Sequence, residues 1–292
     1  MTDFHGEATR ILENQYLQLE YLANSARIVR FSLKGKTNLF ADLGRTPLET
    51  PFGNFYFRGG HRLWHSPESM PRTYMPDNEG ATIREIPNGI CIEMPPEPWT
   101  HIAKTIEIQL HSDRPQVTLQ HELRNEGPWT AEFAPWALTM FRLGGDVILP
   151  QPVGNVDDTG LLSNRRLLIW PYTKIDDPRL TLRDDFLLVH ASPKLPPIKV
   201  GFFNPQGWLA YWFDGVLFVK RFDALADRAY PDHGCNSEMY CNDYFVELES
   251  LGPLEPVKPR QTVRHSETWE IYENLDVPFI PEHIKQLIAQ KH

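Results

Sequence analysis

The chain has 292 residues, 41% of them hydrophobic and 23% charged, the balance of a globular protein with enough apolar mass for a sizeable core. A formal net charge of −9 argues against nucleic acid as the main partner, because phosphate binding needs a basic surface. Residues 1–20 lack a cationic start followed by an apolar run, no stretch approaches the ~18 apolar residues of a membrane span, and Cys91, Cys235 and Cys241 are too few and too scattered for a disulfide framework. No membrane partner and a cytoplasmic location are therefore expected.

Period-two alternation dominates from the amino-terminal side onward. Leu17, Leu19 and Tyr21 take one face while Gln18 and Glu20 take the other; Val29, Phe31 and Leu33 alternate with Arg30 and Ser32 in the same way. Each run predicts a strand with one buried and one wet face, as in antiparallel sheets. A denser polar-aromatic segment follows at Phe55–Glu68, where a Gly59-Gly60 pair lets the backbone bend or approach a ligand closely. His61, Arg62, Trp64 and His65 then fall within five residues. Imidazole exchanges protons near neutral pH, and a guanidinium offers planar donors to hydroxyls or carboxylates. This segment, continued by Arg72, is expected to be a loop lining a cleft; the alternative is a surface loop with Trp64 plugging the core.

Further along, Ile106, Ile108 and Leu110 alternate with Thr105, Glu107 and Gln109, and Val117, Leu119 and Leu123 with Thr118, Gln120, Glu122 and Arg124. His121 is in phase with Val117 and Leu119 and is expected to be a hydrogen-bonded histidine at the edge of the core. Gly144-Gly145-Asp146 predicts a tight turn, and the proline clusters at Pro95–Pro98 and Pro193–Pro197 predict loops between strands. Trp208–Phe222 reads as a hairpin covered on both sides, its two-residue turn at Asp214-Gly215 needing φ > 0 at both positions. His233, Cys235 and Cys241 offer soft ligands without any paired C-x-x-C spacing, so neither metal nor cofactor is expected.

Near the carboxyl end, Tyr244–Leu251 alternates again and stops at Gly252-Pro253. Val246 and Leu248 share one face, Glu247 and Glu249 the other. The two carboxylates form either a solvated outer face or the floor of a polar cleft. They are about 6.6 Å apart along the strand, yet they rise in parallel and cannot flank a glycosidic bond as a hydrolase pair would. Pro281, Glu282 and the stripe Ile284, Leu287, Ile288 predict a terminal helix. The predicted fold is all-β: one large antiparallel β-sandwich domain over residues 1–292, with the sandwich at about 14–273 and a short helix at about 281–291.

The residues in this order resemble the galactose mutarotase-like superfamily, which includes the aldose 1-epimerases. Ala26–Phe31 with Asn38-Leu39 is similar to its opening strands, and Gly59–Trp64 to its first cleft loop. Leu119–Asn125 and Ala134–Phe141 are similar to its central pair, and Glu247–Pro253 with Glu267–Glu270 to its closing strands. The resemblance implies a supersandwich whose concave sheet binds a pyranose, so that the expected partner is a small-molecule carbohydrate, with a homodimer as a further option. It also implies that a late-strand glutamate takes the proton of the anomeric hydroxyl while a histidine protonates the ring oxygen. The ring then opens and recloses on either face. Glu249 matches that glutamate, whereas Leu138 stands where the family usually has its histidine. The expected roles are therefore Glu249 as base and His61 or His65 as acid. Arg62, Arg72 and Glu247 would be substrate contacts, and Trp64 or Trp136 would stack on the sugar. Two other readings are a carbohydrate-binding protein without turnover, and an isomerase or lyase acting on uronates held by Arg62 or Arg72.

Overall fold

The computed structural model describes residues 2–151, 154, 156–275 and 286. Within them the elements are overwhelmingly antiparallel strands in two sheets. The larger sheet runs, in spatial order, from the amino-terminal strands through Leu17–Leu22, Ile28–Leu33, Gly53–Ser66, Ala131–Phe141, Val246–Leu251 and Ser237–Cys241 to Ile198–Phe202 and Leu168–Ile169. The other sheet centres on Trp208–Phe213, Val216–Phe222, Thr262–Tyr272, Gln116–Asn125 and Ile102–Leu110. The predicted helix at 281–291 lies outside the described residues, apart from Gln286.

The alternating runs become strands because each can bury every second side chain against the opposite sheet. Leu17, Leu19, Phe31, Ile106, Ile108, Val117 and Leu119 all enter one core. An aromatic plug joins the two layers at mid-height, with Trp269 edge-on to Phe31 at 5.4 Å, to Phe40 at 5.8 Å and to Phe218 at 5.5 Å. The Asp214-Gly215 turn has φ of 50° and 77°, the geometry that matches strand twist in a two-residue hairpin. That hairpin is covered on both sides, since Leu209 and Phe218 face the main core while Trp208, Leu217 and Val219 face a second cluster.

The Phe55–Glu68 segment differs from expectation. Gly53–Ser66 is a 14-residue strand and not a loop. Arg58, Gly59 and Gly60 nevertheless take φ of 59°, 88° and 67°, a local bulge within it. A Cβ at Gly59 would lie 2.1 Å from the Ala41 carbonyl oxygen, and one at Gly60 2.0 Å from that of Ile28. On the near side of the bulge the strand pairs with Asp42–Thr50; beyond it, with Ala131–Phe141. The bulge therefore sets which side chains of residues 61–66 face which way.

Candidate functional site

Directly paired residues in an antiparallel sheet point to the same side, so strand register gives the pattern of the outer face of the larger sheet. Arg62 is opposite Leu138, Leu138 opposite Glu249, and Glu249 opposite Glu238. In the next row Met140 is opposite Glu247, Glu247 opposite Tyr240, and Tyr240 opposite Lys199. Above them Trp64 is opposite Trp136. Apart from the fully buried Met140 and Glu238, these residues floor a cleft of about 630 Å³ whose walls include Tyr74, Trp170, Tyr172 and Phe245.

Charge on this floor is paired internally. Lys199 Nζ lies 2.9 Å from Glu249 Oε2 and 2.7 Å from Glu238 Oε2. Burial disfavours its charge, but the two carboxylates outweigh burial and hold the ammonium well above the usual lysine range. Trp136 Nε1 donates to the same Glu249 oxygen at 2.8 Å. Both contacts fall on Oε2, and among the described residues Oε1 has no hydrogen-bond partner. Arg62 Nη2 pairs with Glu247 Oε1 at 2.8 Å, its guanidinium 4.1 Å above the Trp64 ring. Burial pushes the Glu247 carboxyl up to about 7, against the pull of Arg62 and with the Glu249 charge adding to the rise. Burial likewise raises Glu238 well above the carboxylate range, with Lys199 opposing. Arg62 Nε and Nη1 are buried without a hydrogen-bond partner.

A second polar cluster lies between the sheets. His61 Nε2 meets His121 Nε2 at 2.8 Å, and His61 Nδ1 meets Thr139 Oγ1 at 2.9 Å. Lys220 Nζ pairs with Glu267 Oε1 at 2.8 Å and donates to the carbonyls of Ala137 and Leu248 at 2.8 and 3.1 Å. His61, His121 and Glu267 bring their ligand-type atoms within 4.8 Å of one another, the spacing of a metal-binding set. Lys220 already supplies a cation there, and against burial it holds Glu267 far below the usual carboxylate range.

No family model matches the chain, and no curated relative matches it. Solved structures do. A galactose mutarotase-like protein from Lactobacillus casei is 8% identical, with a TM-score of 0.61, covering 91% of this chain and 100% of its own. A protein assigned to the aldose 1-epimerases from Escherichia coli is 11% identical, with a TM-score of 0.56 and coverage of 92% and 100%. A TPR-domain containing protein from Parabacteroides distasonis is 14% identical, with a TM-score of 0.63, covering 94% of this chain and 49% of that one. The fold is that of the galactose mutarotase-like proteins.

On this mutarotase-like sandwich Glu249, Glu247, Arg62, Trp64 and Trp136 come together on the cleft. The other three expected site residues do not join them. His61 and His65 share the inward phase of the strand with Leu63, one residue out of step with Arg62 and Trp64. His61 is spent on His121 and Thr139, and His65 lies 3.3 Å from Glu97. Arg72 donates to the Pro67 carbonyl and borders a separate hollow of about 160 Å³ beside His65. His121 is hydrogen-bonded as expected, though it is fully buried between the sheets and not at the edge of the core. Leu138 sits mid-floor between Arg62 and Glu249, where the resemblance expects a histidine.

Sequence reasoning missed Lys199, Glu238 and the tyrosine walls. One signal was present: Lys199 is the single charge in the apolar run Ile198–Phe203, and a lysine inside such a strand needs a buried partner. Among the described residues no helix is long and apolar enough to cross a membrane.

Proposed function

We propose that the protein binds an aldose in this cleft and exchanges its anomers by acid/base opening of the ring, as aldose 1-epimerases do. The observation that carries the reading is the setting of Glu249. Its carboxyl lies at the cleft floor, anchored through Oε2 by Lys199 and Trp136, with Oε1 left without a protein partner. A carboxylate fixed in this way meets an anomeric hydroxyl at a set angle, which lowers the cost of positioning at the moment of proton transfer. Aromatic walls suit the apolar faces of a pyranose, and the Arg62 guanidinium borders the cleft beside Glu247. The cleft volume falls within the range of small-molecule sites.

A second reading, a sugar-binding protein without turnover, is favoured by one observation: Leu138 stands where the resemblance expects the acid, and among the described residues no histidine lines the cleft. Anomer exchange by NMR over a panel of aldoses and uronic acids, read beside sugar-dependent tryptophan fluorescence, separates the two. Exchange above the buffer rate is the expected result. Binding without exchange would favour the second reading, and the absence of both would contradict each.

A further inference from the structure

Ring opening needs two groups: one to take the proton of the anomeric hydroxyl and one to give a proton to the ring oxygen. Both oxygens are bonded to the same carbon, so both groups must reach the neighbourhood of that carbon from the lining of the cleft. Glu247 and Glu249 are successive same-face residues of one strand, about 7 Å apart along it, and both line the cleft.

Other donors on this floor are poorly suited. Leu138 has no proton to give, and His61 and His65 belong to the opposite face. Lys199 is clamped between Glu238 and Glu249. Tyr74 donates its hydroxyl to Glu68. Burial moves Tyr74, Tyr172 and Tyr240 above the ordinary phenol range, away from neutrality. A guanidinium does not give up its proton, which removes Arg62.

We infer that Glu247 is the general acid of this cleft, replacing the histidine that Leu138 displaces. The inference rests on the ring-opening reading above. As Glu249 takes the O1 proton, the C1–O5 bond breaks, C1=O1 forms, and the carboxyl proton of Glu247 passes to O5. Reclosure after rotation of C1 reverses both transfers and restores the two carboxyls, so no further reactant is needed. The groups facing Glu247 fit this role: Arg62 from across the intervening strand Ala131–Phe141, Glu249 on its own strand, and Tyr240, Lys199 and Tyr74 around it. Arg62 is placed to stabilise the carboxylate left behind. A carboxyl raised to about 7 is partly neutral at neutral pH, as an acid catalyst must be.

The test is the pH–rate profile of anomer exchange for wild type, Glu247→Gln and Glu247→Asp, with Glu249→Gln alongside. An acid must be protonated to act, so wild-type exchange should fall as pH rises through about 7. Glu247→Gln should lose about 100-fold in rate and lose that alkaline limb, while Glu247→Asp keeps the limb at a reduced rate. Wild-type rate and limb in Glu247→Gln, with Glu249→Gln inactive, would overturn this assignment and leave the ring-opening reading standing. Absence of exchange in wild type would remove the reading itself.

Discussion

Glu249 and Lys199 illustrate what one residue contributes to this cleft. The lysine is buried between Glu238 and Glu249, and Glu238 is held largely neutral by its burial, so removing the lysine leaves the Glu249 charge without a counter-ion. Breaking a buried pair from one side costs about 3–5 kcal/mol, because the remaining charge is uncompensated. Lys199→Met should therefore lower stability by that order in urea unfolding; a change near zero would mean that the network contributes little. Glu247 and Glu249 were legible in the sequence because their strand alternates without interruption to Gly252. Lys199 was not, since it enters the cleft across Ser237–Cys241, a pairing fixed by sheet order and not by sequence spacing.

At the scale of the element, the strand Gly53–Ser66 decides which of its residues reach the cleft. Its bulge at Arg58–Gly60 shifts the phase, so the sequence shows the residue types but not their direction. That is why Arg62 and Trp64 reach the cleft while His61 and His65 do not. Gly60→Ala would put a Cβ against the Ile28 carbonyl at a left-handed φ of 67°, at a cost on the order of 3 kcal/mol. The same change should weaken sugar-dependent tryptophan fluorescence, because Arg62 and Trp64 follow the bulge. Full stability and full binding in the variant would show that the strand can find its phase without the glycine. The Asp214-Gly215 hairpin was the opposite case, since its turn chemistry and covered arms were both legible locally.

For the whole molecule, the all-β sandwich was legible from alternation, whereas strand order was not. The larger sheet places Gly53–Ser66 beside Ala131–Phe141 and that strand beside Val246–Leu251, pairings between residues far apart in sequence. The layer between the sheets carries the pH response. Burial keeps His61 and His121 below the ordinary imidazole range and pushes His265 down to about 3. These histidines stay neutral in the fold and gain protons on unfolding below about pH 6.5, so the unfolded state binds more protons there. Stability should fall as pH drops from about 6.5, by about 1.4 kcal/mol per pH unit for each histidine still neutral in the fold. Glu97 acts lower down: against burial, Lys104 and His65 hold it at about 2, so its contribution is present above about 4.5 and lost towards 2. Denaturant midpoints measured across this range check both: a flat profile from pH 6.5 to 4 would contradict the histidine contribution, and no further loss between pH 4.5 and 2 would contradict that of Glu97.

Sugar ring opening in this cleft, as proposed, turns on Glu249 at the anomeric hydroxyl. Its most direct test compares anomer-exchange rates of wild type and Glu249→Gln on a sugar that both bind. A loss of at least about 100-fold with binding retained is expected, since the amide keeps the size of the carboxyl but cannot accept the proton. Equal rates in the two proteins would contradict it.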